Sequence, residues 1–441
     1  MSLTNRRDLL AGLGAFALTP MLLRSAAAQS FQSLTLQAKT QLVELGPGPR
    51  RSSTAAWTQQ QGPQWPSHVP RCKRGALLNI ALQNELPVRA ALQIRGIDGT
   101  AAIEPLAAIP PLAPGARTSV AVPLPHAGTY LCDLWLPDNE ATQPTRPLPL
   151  IVDETESVPF DSDEVFLIEE WHVRGDGSAI APGADPGDAK VFHTINNGYP
   201  SDQIGIPIRA NQRLRFRFIN ASQRPIIAVK LDKLDVRVMA IDGQPAEPFS
   251  ARNGAVVLAP GTRVDAFVDV VGPPGFTFSL LLHDGRQSIA FTQWMISDEP
   301  PVRPQPLPPA SALPSNGLPE KLDLKTALRA DVPLAGPEWV TPVSFTASLQ
   351  PCFRTKTGRT VVLALTNRTA SATTFHLHGH HFRLLDRLDD GWKPFWLDTL
   401  AVEPGQTQRI AFAAEHPGRY LIESTATDWA ASRLLRWYDV E

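Results

Sequence analysis

The sequence repeats one arrangement of strand and turn three times, and this repeat limits the possible folds. Each copy has an alternating segment that ends in asparagine, and a Pro-Gly turn followed by a second alternating segment comes later. The asparagines are Asn84, Asn220 and Asn367, and the turns are Pro114-Gly115, Pro260-Gly261 and Pro404-Gly405. Proline presets φ and glycine takes a positive φ, so each pair marks a tight turn. Short strands at this spacing predict β-sandwich domains. The alternation of polar and apolar residues from Arg213 to Ile219 predicts one half-buried strand among them.

Length and composition agree with a β-rich, multidomain chain. At roughly 100–200 residues per domain, 441 residues indicate two to four domains. The 43 prolines are about twice the usual ~5%, and helix interiors reject proline because it lacks the N–H. The net charge of −2 argues against a nucleic-acid partner, since phosphate binding needs a basic surface. The three cysteines, Cys72, Cys132 and Cys352, leave at least one thiol unpaired, and their pairing stays open.

The pattern of strands and turns divides the chain into three domains. We place the first at residues 29–155, the second at 156–298 and the third at 320–441. Residues 299–319 are predicted to form a linker, because eight prolines fall within them. Such a segment favours extended polyproline geometry and acts as a semi-rigid spacer.

The N-terminus has the layout of an export signal. Arg6 and Arg7 precede an apolar segment from Ala11 to Leu23, and small residues follow at 25–28. A membrane anchor is the alternative, but a spanning helix needs about 20 apolar residues. We therefore expect residues 1–28 to be a cleaved twin-arginine signal peptide. The mature chain would then lie in the periplasm without a stable membrane anchor.

Seven short motifs are specific enough to suggest a family. They are Ile195–Gly198, Arg213–Ser222, Ala240–Pro245 and Ala259–Asp265 in the second domain, and Phe375–His380, Glu403–Thr407 and Pro417–Tyr420 in the third. In these motifs the chain resembles the multicopper oxidase superfamily of three-domain proteins. The resemblance implies an all-β fold of three cupredoxin-like, Greek-key β-sandwiches.

The resemblance also implies where copper ligands would stand. In enzymes of the family, a type 1 copper held by two histidines and a cysteine thiolate passes electrons to a three-copper cluster held by histidines. Only His376 and His378 match such positions in this chain. The remaining positions, located from neighbouring motifs, hold Gln93, Arg95, Asp133, Trp135, Thr373, Glu423, Ser424, Thr425, Trp429 and Leu434. By the resemblance, four of these belong to the type 1 copper: Thr373 and Trp429 at its histidine places, Ser424 at its cysteine place and Leu434 at its axial place.

Most of these side chains are unsuited to copper. Ser424 offers a neutral hydroxyl in place of a thiolate, and Arg95 would bring a permanent cation into the cluster space. An uncompensated buried cation costs several kcal/mol. We therefore predict that Arg95 pairs with Asp133, Glu423 or both, as a plug in place of the metals. The bulky Trp135 and Trp429 are expected to fill space that the copper ions would otherwise occupy.

A run of four histidines leaves a second possibility open. In a regular strand, His376, His378 and His380 would share one face, and His381 follows them. They could hold a residual metal ion, with copper as the candidate. His376 and His378 are then the expected ligands, and His380 is a further candidate. The alternative is that these imidazoles are hydrogen-bonded inside a domain interface and that no cofactor binds.

Two functions from different classes follow from the resemblance. The first is a copper-free periplasmic protein that binds or scaffolds protein partners, as the SufI/FtsP-like cell-division proteins of the superfamily do. The second is an oxidoreductase of the multicopper oxidase type that binds copper in a non-standard way through His376–His381. The first function requires no catalytic residue, and the sequence indicates no specific partner or substrate for either.

Overall fold

The computed structural model is nearly all β, which confirms the all-β prediction. The described residues are 31–45, 51–62, 65–100, 110–138, 142–198, 205–346, 348–386 and 391–441. The predicted signal peptide lies outside them. They include two short 3-10 helices, Arg252–Gly254 and Pro342–Ser344. No helix in the described part of the chain is long and apolar enough to cross a membrane.

The first domain is built from two sheets around one apolar core. Its strands are β1 (Phe31–Glu44), β2 (Arg51–Gln59), β3 (Arg71–Lys73), β4 (Leu77–Asn84), β5 (Ala91–Arg95), β6 (Arg117–Pro123), β7 (Gly128–Trp135), β8 (Thr145–Arg146) and β9 (Leu148–Asp153). One sheet has the order β6-β4-β1-β2-β8, and the other has the order β3-β9-β7-β5. Leu36, Leu78 and Leu150 are fully buried in this core.

The second domain repeats this two-sheet design. Its strands are β10 (Ser162–Val173), β11 (Ala179–Ile180), β12 (Lys190–Ile195), β13 (Ile206–Ile208), β14 (Arg213–Asn220), β15 (Ile227–Leu231), β16 (Arg237–Ile241), β17 (Gln244–Ser250), β18 (Ala255–Leu258), β19 (Arg263–Asp269), β20 (Thr277–His283) and β21 (Ser288–Ile296). One sheet runs β11-β10-β14-β19-β16-β17, with β12 also paired to β10. The other runs β13-β21-β20-β15-β18. Phe216, Phe278 and Trp294 stack in the core between them.

The third domain has the same two-layer form. Its strands are β22 (Leu328–Pro333), β23 (Arg354–Thr355), β24 (Thr360–Thr366), β25 (Thr373–Leu377), β26 (Arg383–Leu384), β27 (Thr399–Val402), β28 (Thr407–Ala413), β29 (Gly418–Ala426) and β30 (Leu434–Val440). The sheets have the orders β22-β24-β28-β26 and β23-β30-β29-β25-β27. Phe375, Tyr420 and Tyr438 are buried between them.

The repeated asparagine and Pro-Gly turn contact each other in every domain. In the second domain, Gly261 takes a φ of 86° and its N–H donates to the backbone carbonyl of Asn220. The buried amide of Asn220 donates to the carbonyls of Pro225 and Leu258, and its Oδ1 accepts the N–H of Ser222. The same arrangement recurs with Asn84 and Gly115, and with Asn367 and Gly405. The repeat therefore marks one structural unit, used three times.

The proline-rich residues 299–319 contain no helix or strand but do not form a free spacer. Ala310 and Leu313 are buried in one apolar cluster with Met239 and Phe267 of the second domain. Further along, Asn316 exchanges hydrogen bonds with the backbone of the first domain. This segment therefore follows the surfaces of the first two domains.

One strand departs from the sequence-based expectation. The alternation from Arg213 to Ile219 predicts a half-buried strand, but every residue of β14 is buried. The face that carries Arg215 and Arg217 packs against the first domain, where Arg217 Nη1 donates to Thr129 Oγ1 at 2.8 Å. The alternation does separate the two faces of β14, but the polar face is covered by another domain.

All three cysteines are free thiols. Cys132 is fully buried on β7, and burial raises the pKa of its thiol well above the ordinary value. Burial, followed by the charge of Asp153, raises the pKa of Cys72 to about 11. These thiols are therefore protonated at neutral pH, which makes them poor nucleophiles and poor metal ligands.

Candidate functional site

Four strands from two domains bring most of the predicted ligand positions together. Gln93 on β5 lies opposite Asp133 on β7, in the first domain. His376 on β25 lies opposite Glu423 on β29, in the third domain. Residues i and i+2 of a strand face the same way, so Arg95 is on the same side as Gln93. The result is a buried polar site between the first and third domains.

Arg95 forms ion pairs with both carboxylates of this site. Its Nε atom donates to Asp133 Oδ2, and its Nη2 atom lies 3.1 Å from Glu423 Oε2. Burial alone would lower the pKa of Arg95, but the charges of Glu423 and Asp133 raise it above the ordinary value. The prediction that Arg95 pairs with one or both carboxylates is therefore confirmed.

Glu423 is the centre of the polar network. Its Oε2 also accepts a hydrogen bond from Arg433 Nε at 2.9 Å, and its Oε1 lies 2.5 Å from His378 Nε2. Gln93 Nε2 donates to the same Oε1 at 3.1 Å. Burial would raise the pKa of Glu423, but Arg433, Arg95 and His378 hold it well below its usual value. The sequence interpretation missed Arg433, which lies outside every family motif.

The hydrogen bonds of His376 fix its tautomer. Thr399 Oγ1 donates to Asp398 Oδ1 at 2.7 Å, so this hydroxyl must accept the proton on His376 Nδ1, 2.9 Å away. His376 Nε2 therefore carries a lone pair, and it has no hydrogen-bond partner among the described residues. Burial, with His378 and Arg95, lowers the pKa of His376 to about 3. The imidazole is thus neutral at neutral pH.

The next histidines do not converge on His376. Strand β25 ends at Leu377, and Gly379 takes a φ of 76°, where a Cβ atom would collide with Tyr420. His380 then enters the core of the third domain. The expectation that His376, His378 and His380 share one face is therefore wrong for His380, because the strand ends before it.

Both ring nitrogens of His380 and of His381 are engaged. Tyr438 donates its hydroxyl proton to the carbonyl of His378, so it accepts from His380 Nδ1 at 2.7 Å. His380 Nε2 accepts the backbone N–H of His416. His381 lies 2.8 Å from Asp98 Oδ1 and 2.9 Å from a backbone carbonyl, so both its nitrogens donate. Burial opposes this charge, but Asp98 raises the pKa of His381 to about 9.

Three of the four positions assigned to the type 1 copper lie on neighbouring strands of one sheet of the third domain. Ser424 Oγ donates to the carbonyl of Leu334, and Leu434 lies opposite Ser424 in the β29–β30 pairing. Thr373 is buried, and its hydroxyl lies 3.2 Å from that of Thr369. These groups present hydroxyls and an alkyl chain, with no thiolate or imidazole.

The two tryptophans are both buried, but they lie in different surroundings. Trp135 packs in an apolar cluster with Leu421, and the Arg433 guanidinium lies 3.8 Å above its ring. Trp429 stacks on His172 of the second domain, with ring centres 4.0 Å apart. Trp135 therefore adjoins the polar site, whereas Trp429 joins the third domain to the second.

A cavity of about 80 Å³ lies beside the network, lined by Arg95, Asp133, His376, Glu423, Thr425 and other residues. These side chains do not suit a copper cluster. The guanidinium of Arg95 places a fixed positive charge at the wall, and His376 supplies one neutral imidazole lone pair. Copper sites need several neutral imidazoles or thiolates.

A second charged group, which the sequence interpretation missed, joins all three domains next to this site. Arg263 contacts the carbonyl of Thr129 in the first domain, the carbonyl of Asp242 in its own, and the carboxylate of Asp398 in the third. Asp398 also accepts the Thr399 hydroxyl that orients His376. Burial raises the pKa of Asp398, but Arg263 and His376 lower it well below the usual value. Arg263 lies in the Ala259–Asp265 motif, and this position is the sequence feature that could have identified it.

Comparison with known proteins identifies the family. Two family models, both described as multicopper oxidase, match residues 163–288 and 319–441, which together are more than half of the chain. The chain belongs to the multicopper oxidase superfamily. It is 24% identical over 416 residues to the multicopper oxidase MmcO of Mycobacterium tuberculosis, covering 81% of this chain and 78% of that protein. It is 24% identical over 154 residues to Laccase-3 of Oryza sativa subsp. japonica, covering 34% and 25%.

Solved structures show the same fold. A multi-copper oxidase from Pseudomonas thermotolerans superposes with a TM-score of 0.78 at 22% identity, covering 94% of this chain and all of that chain. Lac15 from a marine microbial metagenome gives a TM-score of 0.72 at 22% identity, covering 93% and 100%. These similarities confirm the cupredoxin-like fold class.

Proposed function

We propose that this chain is a periplasmic superfamily member without oxidase activity, which binds or scaffolds other proteins. One observation carries the proposal. Arg95 is ion-paired with Asp133 and Glu423 in the space where the resemblance puts the copper cluster. A bound metal needs deprotonated, unshared ligand atoms. Here Asp133 Oδ2 and Glu423 Oε2 are already engaged by guanidinium groups, and Glu423 Oε1 is engaged by His378 and Gln93. The guanidinium of Arg95 would also repel a cation.

The positions assigned to the type 1 copper support the same proposal. Blue copper sites need a cysteine thiolate with two imidazoles. Thr373, Ser424 and Trp429 stand at those three places. The hydroxyl of Ser424 is used as a donor to a backbone carbonyl. A chain with these residues lacks the electron acceptor on which substrate oxidation depends in the family.

A binding role in the periplasm rests on the resemblance to the SufI/FtsP-like proteins and on the N-terminal sequence. The partners we propose are periplasmic proteins, including those of the division machinery.

Export can be tested by replacing Arg6 and Arg7 with lysines and fractionating cells. Loss of the periplasmic form is expected in this variant, because the twin-arginine pair is the recognised element. Unchanged export would contradict that route.

Copper analysis of the purified protein tests the missing oxidase activity. After incubation with Cu(II) and with Cu(I), followed by desalting, we expect well below one copper per chain and no blue absorption. We also expect no turnover of a phenolic or diamine substrate. A superfamily oxidase taken through the same protocol is the positive control. Near-stoichiometric copper with turnover would refute the proposal.

One observation favours the alternative of an unusual copper oxidoreductase. The unshared lone pair of His376 Nε2 faces no donor among the described residues, and the His378 ring lies 4.2 Å from the His376 ring, centre to centre. A single copper could bind there. The His376→Gln/His378→Gln variant separates the two proposals: copper that is bound by the wild type and lost in this variant, together with activity, supports the alternative.

A further inference from the structure

A separate group of ionisable side chains lies in the second domain. Glu170 on β10 is directly opposite His193 on β12 in the sheet. Asp284 follows the last residue of β20 and brings its carboxylate to the same point. His193 Nε2 and the carboxylate oxygens of Glu170 and Asp284 all lie within 4.8 Å of one another. Neither the family motifs nor the predicted copper positions include these residues.

The buried imidazole of His193 indicates that something is bound here. Its side chain is only 2% exposed, and Nε2 has no hydrogen-bond partner in the part of the chain that the structure describes. The atom lies 3.3 Å from Glu170 Oε2 and 3.8 Å from Asp284 Oδ2. Buried polar atoms in native proteins are nearly always paired. A ligand between these three atoms would satisfy Nε2.

We propose that His193, Glu170 and Asp284 bind a divalent transition-metal ion, with Zn²⁺ as the expected ion and water in the fourth position. Imidazole nitrogen and carboxylate oxygen bind Zn²⁺ at about 2.0–2.2 Å, so tetrahedral ligand atoms lie about 3.3 Å apart. The distance from His193 Nε2 to Glu170 Oε2 already has this value. Asp284 Oδ2 lies 3.8 Å from the same Nε2, about half an ångström beyond this value.

The protein holds the other oxygen of each carboxylate. His172 Nε2 lies 3.0 Å from Glu170 Oε1, which leaves Oε2 facing His193. Asp284 Oδ1 accepts the backbone N–H groups of Arg286 and Gln287, both at 2.8 Å, which leaves Oδ2 on the same side. Metal-binding carboxylates are typically oriented by such outer hydrogen bonds. The arrangement is therefore built before any ion arrives.

Charge also suits a divalent cation. The two carboxylates, Glu170 and Asp284, offer two negative charges to a +2 ion. The ion would tie the β20–β21 turn to β12. Through the stacking of His172 on Trp429, it would also brace the contact with the third domain.

Zinc titration of the full, tag-free chain tests this site. The chelator-stripped protein is titrated with Zn²⁺ in a calorimeter, beside the Glu170→Gln/Asp284→Asn variant, which keeps side-chain shape and removes both charges. We expect one Zn²⁺ per wild-type chain and about 100-fold weaker binding in the variant. His68→Ala removes an exposed histidine elsewhere and serves as the matched control, with unchanged affinity.

A second variant and a second metal keep the outcome clear. Co²⁺ should give the visible bands of a four-coordinate site in the wild type, and His193→Gln should lose them while its circular dichroism stays native. Equal Zn²⁺ affinity in wild type and double variant would overturn the proposal. Zn²⁺ binding that is lost when His376 is replaced, but kept when His193 is replaced, would also overturn it. The result does not depend on whether the protein lacks oxidase activity.

Discussion

Replacing Asp265 with alanine is expected to lower the free energy of unfolding of the second domain by about 3–5 kcal/mol. Asp265 Oδ2 accepts hydrogen bonds from Arg215 at 2.7 Å and from Arg217 at 2.8 Å, and all three side chains are buried. Asp265 Oδ1 accepts the Thr129 hydroxyl of the first domain at 2.6 Å. Without this carboxylate, two buried cations would lose a shared counter-charge, and the domain contact would lose an acceptor.

Each arginine keeps one other carboxylate, which limits the size of the loss. Arg215 also pairs with Glu154, and Arg217 also pairs with Asp163. A buried pair that is broken on one side costs more than an exposed one, because the remaining charge stays desolvated. The expected cost is therefore that of one broken buried network, with the outer carboxylates still in place.

Glu299→Ala is the control for this variant. Glu299 lies 3.6 Å from Arg209 of the second domain, and the two side chains are 69% and 42% exposed. Exposed pairs of this kind contribute about 0–1 kcal/mol. Urea unfolding, with hydrogen exchange followed on β14 and β19, should show a much larger loss for Asp265→Ala. Equal losses would mean that burial does not determine the strength of these pairs.

This arginine cluster shows where prediction from sequence stops. The period-2 pattern of β14 correctly placed the arginines on the face opposite Phe216 and Phe218. It could not show that this face is covered, because the covering residues, such as Thr129, come from a strand more than eighty positions earlier. Burial of a sheet face is a property of domain packing. Alternation within one strand does not report it.

The polar site was predictable to a greater extent. The motifs indicate which strands face each other, so the pairing of Arg95 with Asp133 and Glu423 could be predicted from the sequence alone. Arg433 could not, since it precedes β30 and reaches Glu423 only through the pairing of β29 with β30. The position of His380 was missed because the regular-strand assumption ignored the positive φ of Gly379.

Replacing Arg95 with methionine is expected to lower the free energy of unfolding by about 3 kcal/mol. The change removes the donor to Asp133 and one of the two guanidinium partners of Glu423. Arg433 stays 2.9 Å from Glu423, so the second carboxylate keeps a counter-charge. The main cost therefore comes from Asp133, whose side chain is only 16% exposed and would face the cavity unpaired.

This origin of the cost makes a specific rescue possible. Arg95→Met/Asp133→Leu removes both charges, and replacing a whole buried pair with apolar side chains is often neutral or stabilising. The double variant should therefore recover most of the stability that Arg95→Met loses, as measured by urea unfolding.

Arg89→Met is the matched control in the same domain. Arg89 pairs with Asp138 but is 51% exposed, so its replacement should cost well under about 1 kcal/mol. A double variant no more stable than Arg95→Met would show that Arg95 stabilises the fold through packing, since the ion pair would then contribute little.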